Sequence, residues 1–438
     1  MTKRATRRHA IPRMTDQQIA ELEHNTFSYF WRDTNPKNGL IPDSTQENPP
    51  ASIAGVGFAL AAYPVGAERR FVTREEAADR ALTTLRFFWD SAQGSEPDAT
   101  GHHGFYYHFL DVETGRRAWD SELSTIDTAI LLAGALTSAA YFDGANQVER
   151  KIRELADGLY RRADWHWAQN GGATVAHAWR PARGFDPYRW EGYNEALILY
   201  VLGLGSPEHP LTDGSYEAWT DSYEWRTVYD HEFLYGGPLF MHQLSHIWID
   251  FRGIQDAFMR SKQIDYFENS RRATYVQQAY AMRNPKQFAG YGEYIWGITA
   301  SNGPGPEWRR IKGISRRFFG YCARGVPNGP DDGTLAPWGV AASLPFAPEI
   351  VLPALSYYLD SYPQIATESG IVCSFNPTYR SSKRLPWISN RHFALDQGPV
   401  LLMIENYRSG LVWRLMRRCP YLVEGLRRAG FTGGWLHD

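Results

Sequence analysis

Cysteine is scarce in this 438-residue chain: Cys322, Cys373 and Cys419 are all it has. So sparse and odd a set is no disulfide framework. Long apolar runs are missing too; no stretch reaches the roughly 18 uninterrupted apolar residues of a membrane span. The start, MTKRATRRHAIPRMTDQQ, is basic but carries no apolar run behind its charges, which a secretory signal requires. Nor is there an excess of one charge. Lys and Arg number 46 against 48 Asp and Glu, a formal −2, so nothing marks a nucleic-acid or membrane-binding surface. These absences predict a cytoplasmic chain, or a periplasmic or secreted one if a signal has been removed, with no obligate protein partner. Linkers, charge blocks and low-complexity tracts are also lacking. Period-2 alternation is rare: HHGFYYHFLD is the best strand candidate, half of a short hairpin closed by VETG.

Helical patterns fill the rest. TDQQIAELEHNTFSYFW opens on Thr15 as N-cap, TREEAADRALTTLRFFWDSA on Thr73, and STIDTAILLAGALTSAAYF on Ser124. Some helices are amphipathic, as from Gln147 to Trp165; others, as from Ala129 to Ala140, are apolar nearly all round. A helix apolar on every side must be buried on every side. Roughly ten to twelve helices of both kinds suit a double ring, with buried inner and half-exposed outer members. The alternative, an α-solenoid, needs a repeat of fixed length, and none is found. The expectation is an all-α fold: a loose basic segment over residues 1–14, then one domain over 15–438 with a few short β-hairpins in its loops.

Several acids stand at helix starts. Glu122 and Asp127 flank Ser124, Glu191 precedes NEALILY, and Asp396 precedes QGPVLLMIEN. An acid there ordinarily caps the helix or complements its dipole. The company argues for more. RGFDPYRWEGYNEA surrounds Glu191 with Phe185, Tyr188, Trp190 and Tyr193, and aromatics make 14% of the chain. Flat rings with polar edges suit sugars, and glycosidic cleavage needs two carboxyl groups. In a double ring, acids at inner helix starts converge on one mouth.

Other constellations carry less. His242 and His246 have i, i+4 spacing, but Gln243 stands where a metalloprotease would have its base, and no third ligand is evident. No phosphate-binding loop and no serine or cysteine nucleophile motif is found. No metal and no cofactor are expected.

In order along the chain come STIDTAILLAGAL, WEGYNEALILYVLGLGSPEHP, LFMHQLSHIWIDFRG, DYFENSRRAT, GYGEYIWGITASNGP, DDGTLAPWGVAASLPFAPE and DQGPVLLMIENYRSGLVW. Together they resemble the glucoamylase-like domain of glycoside hydrolase family 144 and its clan relatives, from about Thr15 to Leu436. The resemblance implies an (α/α)6 barrel and a metal-independent, inverting hydrolase of β-1,2-glucan or sophorooligosaccharides. Exo-acting and transglycosylating relatives keep endo and exo action, and hydrolysis and transfer, open, and a non-catalytic sugar-binding relative on the same scaffold is a further alternative. It implies Glu191 as general acid, taken as the acid of the W-x-G-Y-x-E motif, and Asp396 as general base. It also implies that Glu122 and Asp127 lie near the scissile bond, with either able to take one of those parts. Tyr193, His246, Asp250, Arg252 and Trp296 are implied as sugar-binding groups, with a structural pairing of Arg252 with Asp250 or Asp256 as the alternative.

Overall fold

In the computed structural model, residues 13–380 and 385–437 are described. Most of the predicted basic segment therefore lies outside the described residues. Its end does not: Met14 is buried in the core.

The α-helices are α1 (Asp16–Arg32), α2 (Ile53–Glu68), α3 (Arg74–Asp90), α4 (Thr125–Tyr141) and α5 (Gln147–Arg162). Next come α6 (Trp165–Ala168), α7 (Leu197–Leu204), α8 (Ser215–Thr220), α9 (Ala257–Lys262) and α10 (Tyr266–Arg283). The last are α11 (Pro337–Ala342), α12 (Pro348–Ser361), α13 (Ala394–Arg408), α14 (Leu411–Met416) and α15 (Pro420–Arg428). Three starts follow the expected caps. Thr15 and Thr73 form capping boxes with Gln18 and Glu76, and the Ser124 hydroxyl accepts from the Asp127 amide.

The apolar helices form a closed circuit. α2 packs on α4, α4 on α7, α11 on α13, and α13 back on α2. The gap between α7 and α11 is filled by two 3-10 segments, Leu239–His242 and Leu244–Ile247. Ser245 bonds the start of α7, and the Gln243 amide donates to Gly339 O of α11 at 2.6 Å. The sequence pattern predicts a helix here. Outside the circuit, α3 backs α2, α5 backs α4, α15 backs α7, α10 backs the 3-10 pair, α12 backs α11, and α1 backs α13. The amphipathic α5 turns Ile152, Leu155, Ala156, Leu159 and Tyr160 inward, as an outer helix must.

The all-α expectation needs correction. Seven sheets are present among the described residues, one of them five-stranded. It is built from Gly101–His102, Phe105–Tyr107, Leu123–Ser124, Ala178–Arg180 and Gly184–Phe185. Its third strand runs directly into α4. The alternation in HHGFYYHFLD marked part of it, and the rest comes from segments too short for a pattern to show.

α2 and α4 meet at glycine. A Cβ on Gly134 would stand 1.9 Å from the carbonyl oxygen of Gly57, with no flexible side chain to yield. Gly134→Ala is therefore expected to destabilise the fold by about 3 kcal/mol, at the upper end of overpacking costs. Chemical denaturation checks this; a loss well under 1 kcal/mol would show that the helices can part.

Candidate active site

A cavity of about 220 Å³ opens at one end of the circuit. It is lined by Asp127 and Ile130 of α4, Glu195 just before α7, Phe240 and Leu244 of the 3-10 pair, Trp338 of α11 and Leu395 of α13. Each of these residues lies at or near the N-terminal end of its element. His108, Ile126, Ala300 and Tyr321 complete the wall. The inner elements thus present free N–H ends and positive dipole ends on one side, where carboxylates are welcome.

Glu195 occupies a delayed helix start. The pattern predicts a helix from Asn194, but the Asn194 side chain accepts from the Ala196 amide, and α7 begins only at Leu197. Glu195 is left on the bend, facing the cavity. Its Oε2 is buried without a hydrogen-bond partner among the described residues. Burial pushes its carboxyl up to about 7; its own backbone amide opposes this, and the Asp127 charge adds to it.

Asp127 stands on the same cavity wall, at the start of α4. The Ser124 hydroxyl donates to its Oδ2 at 2.5 Å, and His108 Nε2 lies 3.7 Å from the same oxygen. The other ring nitrogen, Nδ1, is 2.8 Å from Glu122 Oε1. Burial alone would lower the His108 pKa, but Asp127, Glu122 and Asp43 outweigh it and raise it to about 9. The imidazolium lies between the Asp127 and Glu122 carboxyl groups. Glu122, bonded to His108 and 3.3 Å from Arg180, is held down at about 2. Burial raises Asp43 to about 6, against the His108 charge.

The predicted residues fall into three groups. Asp127 lines the cavity and Glu122 stands behind His108. Asp396 sits in the first turn of α13 beside the cavity wall, but buried, with Oδ2 unpartnered among the described residues. Burial dominates and raises its pKa well above the usual range, the Cys373 thiol opposing and Asp43 adding.

The third group does not meet at the cavity. Glu191 is exposed and bonded to Thr174 Oγ1 at 3.1 Å. Counted on Trp190, Gly192 and Tyr193, the W-x-G-Y-x-E motif ends on Glu195, so the string itself carried the signal. Tyr193 is packed against Tyr266 and His242. His246 is buried with Phe251 and Phe346 about it, one nitrogen 2.9 Å from Ser270. Asp250 and Arg252 form a bidentate pair that Arg417 joins, beyond the far end of the 3-10 pair. The structural alternative for Arg252 is the one observed. Trp296 is wholly buried under Tyr358. Sequence reasoning missed His108, Asp43 and Arg180, which lie on sheet and loop and follow no helix-start pattern. Among the described residues no group of His, Cys, Asp or Glu has the geometry to hold a metal, and no helix is long and apolar enough to cross a membrane.

Comparison with known proteins agrees on one family. Residues 187–420 match the family described as "Putative glucoamylase". A curated relative, the exo β-1,2-glucooligosaccharide sophorohydrolase (non-reducing end) of Parabacteroides distasonis, is 28% identical over 95% of this chain. This chain spans 58% of that protein's length. A Bacteroides uniformis protein of known structure, described by the same two words as the family, is 32% identical with a TM-score of 0.85, covering 97% of this chain and 99% of that one. The endo-β-1,2-glucanase of Chitinophaga pinensis, solved with sophorotriose and glucose, is 27% identical with a TM-score of 0.83, covering 97% and 100%.

The raised Glu195 carboxyl has a stability consequence. Its folded pKa of about 7 exceeds the ordinary 4.5, so the folded state keeps a proton that the unfolded chain releases. The wild type should lose stability relative to Glu195→Gln as pH rises from about 4.5 to 7, by on the order of 1–3 kcal/mol. Denaturation of both proteins across that range checks it; a constant difference would mean that Glu195 titrates normally.

Proposed function

The chain belongs to the "Putative glucoamylase" family, and from that premise we propose that it is an inverting glycoside hydrolase of β-1,2-glucan or sophorooligosaccharides. We read its closed circuit and outer helices as a single (α/α)6 barrel. The named activities of the Parabacteroides and Chitinophaga relatives support the substrate class. The observation that carries the reading is a pair of carboxyls on one cavity, Glu195 holding a proton near neutral pH and Asp127 beside a cationic histidine.

In this scheme the Glu195 carboxyl gives its proton to the glycosidic oxygen as the C1–O bond breaks. Asp127 takes a proton from a water whose oxygen attacks C1 from the opposite face, so the new hydroxyl has inverted configuration. His108 keeps Glu122 anionic and stays beside Asp127 through the event. The product leaves with the proton from Glu195, and exchange with solvent resets both acids. A second reading gives the base role to Asp396, favoured by its place in the first turn of α13 beside the cavity and its unpartnered oxygen.

Glu195→Gln and Asp127→Asn should each lower kcat at least about a hundredfold on linear β-1,2-glucan. Asp396→Asn should cost clearly less; the reverse order would move the base to Asp396. The wild-type rate should fall as pH rises through about 7, when Glu195 loses its proton. Early product examined by NMR should show inverted anomeric configuration, and retained configuration would sink the scheme. An inactive wild type on every β-1,2-linked substrate would sink the substrate class.

A further inference from the structure

The turn Ala118–Trp119–Asp120–Ser121 lies immediately before Glu122. The Ser121 amide donates to Ala118 O at 3.0 Å, closing a two-residue loop. Both central residues have positive φ, +58° at Trp119 and +49° at Asp120. That is the type I′ pattern, which Asn-Gly or Gly-Gly adopts with ease and a bulky residue resists. Tryptophan in the first central position is a poor choice for folding. It is a poor choice for solubility as well, since Trp119 is 64% exposed.

The neighbourhood forces the unfavourable conformation. Arg117 donates to Ser121 O at 2.6 Å and to Asp120 O at 2.7 Å. The Ala118 amide donates to Phe109 O at 2.9 Å, and the Ser121 hydroxyl donates to the same oxygen at 3.2 Å. A rigid loop thus displays an indole that its own backbone chemistry disfavours, and such strain collects where a side chain must be aimed. The indole has a direction. Its ring lies 5.1 Å from that of Phe109, and Phe109 stacks at 3.9 Å on His108, whose ring lines the cavity.

We propose that Trp119 is the outer platform of a sugar-binding track that leaves the cavity over His108 and Phe109, stacking a glucosyl ring of the same chain that is cleaved inside. This rests on the reading of the cavity as a β-1,2-glucan site and adds a length specificity to it. Chains long enough to reach the indole gain a contact that the shortest cleaved chains do not. Aromatic faces suit the C–H side of a pyranose ring, and the fixed loop means that little ordering is needed on binding.

The test compares chain lengths. Linear β-1,2-glucan and a graded set of sophorooligosaccharides are assayed with wild type, Trp119→Ala, Trp119→Asn and Trp119→Phe. Tyr407→Ala, which removes an exposed ring from the far end of α13, is the control. The ratio of KM for the longest to KM for the shortest cleaved chain should rise about tenfold in Trp119→Ala and Trp119→Asn, and recover in large part in Trp119→Phe. Trp119→Asn should melt higher than wild type, because Asn suits the turn. A KM ratio unchanged within twofold in both small variants overturns the platform, whatever the melting points do. Loss of long-chain preference in the Tyr407→Ala control as well would overturn it too. A wild type that cleaves no β-1,2-linked chain removes the functional reading and the platform together, whereas cleavage with an unaltered length profile removes the platform alone.

Discussion

The contact on which the structure depends is the one between Gly57 and Gly134. Two helices that carry no charge on their facing surfaces approach until backbone touches backbone. Nothing larger than hydrogen fits between them. This spacing fixes where α4 begins, and therefore where Ser124 and Asp127 stand. A similar economy holds α15 against α7, where a Cβ on Gly425 would meet Val201 O. Packing density in the wall is thus converted into positional accuracy at its rim.

The site itself is an arrangement of unequal acids. Each of the carboxyls around the cavity is a plain Asp or Glu, and environment alone separates them. Glu122 is tied to His108 and Arg180 and stays charged. Glu195 is buried with one oxygen unpartnered among the described residues, and its pKa is raised to about 7. Asp396 is deeper still. His108 is the hinge of the arrangement: its charge holds Glu122 down at about 2 and stands 3.7 Å from Asp127. Distinct proton affinities of this kind are what acid–base work requires of chemically identical groups.

The legibility of the sequence followed physical range. Helix caps depend on four neighbouring residues, and Thr15, Thr73 and Ser124 were readable for that reason. Burial of α4 was readable from its apolar composition between Ala129 and Ala140. The 3-10 pair was not, because Gln243 bonds Gly339 and Ser343 far along the chain, and a tertiary bond of that sort overrides local preference. Acids at helix starts pointed to Asp127, and to Asp396 as a neighbour. They misled at Glu191, because Asn194 delays α7 and the bend exposes Glu191 while turning Glu195 inward. His108 and Asp43 were invisible to any pattern of period 3.6. The predicted sugar binders were drawn from motifs whose polar letters turned out to hold the core and the far seam together, as Asp250 does with Arg252 and Arg417.

The closed circuit has a kinetic side. α2 and α13 are neighbours in space, yet more than three hundred residues of chain separate Glu68 from Ala394. During synthesis α2 is made early and is apolar on every face. One of those faces has no partner until α13 has left the ribosome. The nascent chain must therefore carry that exposed apolar surface while the more than three hundred intervening residues are made, and the ring closes as a non-local event with a high loop-closure cost. Crowded, slow or interrupted synthesis would act on this protein through that waiting period, well before any feature of the finished site came into play.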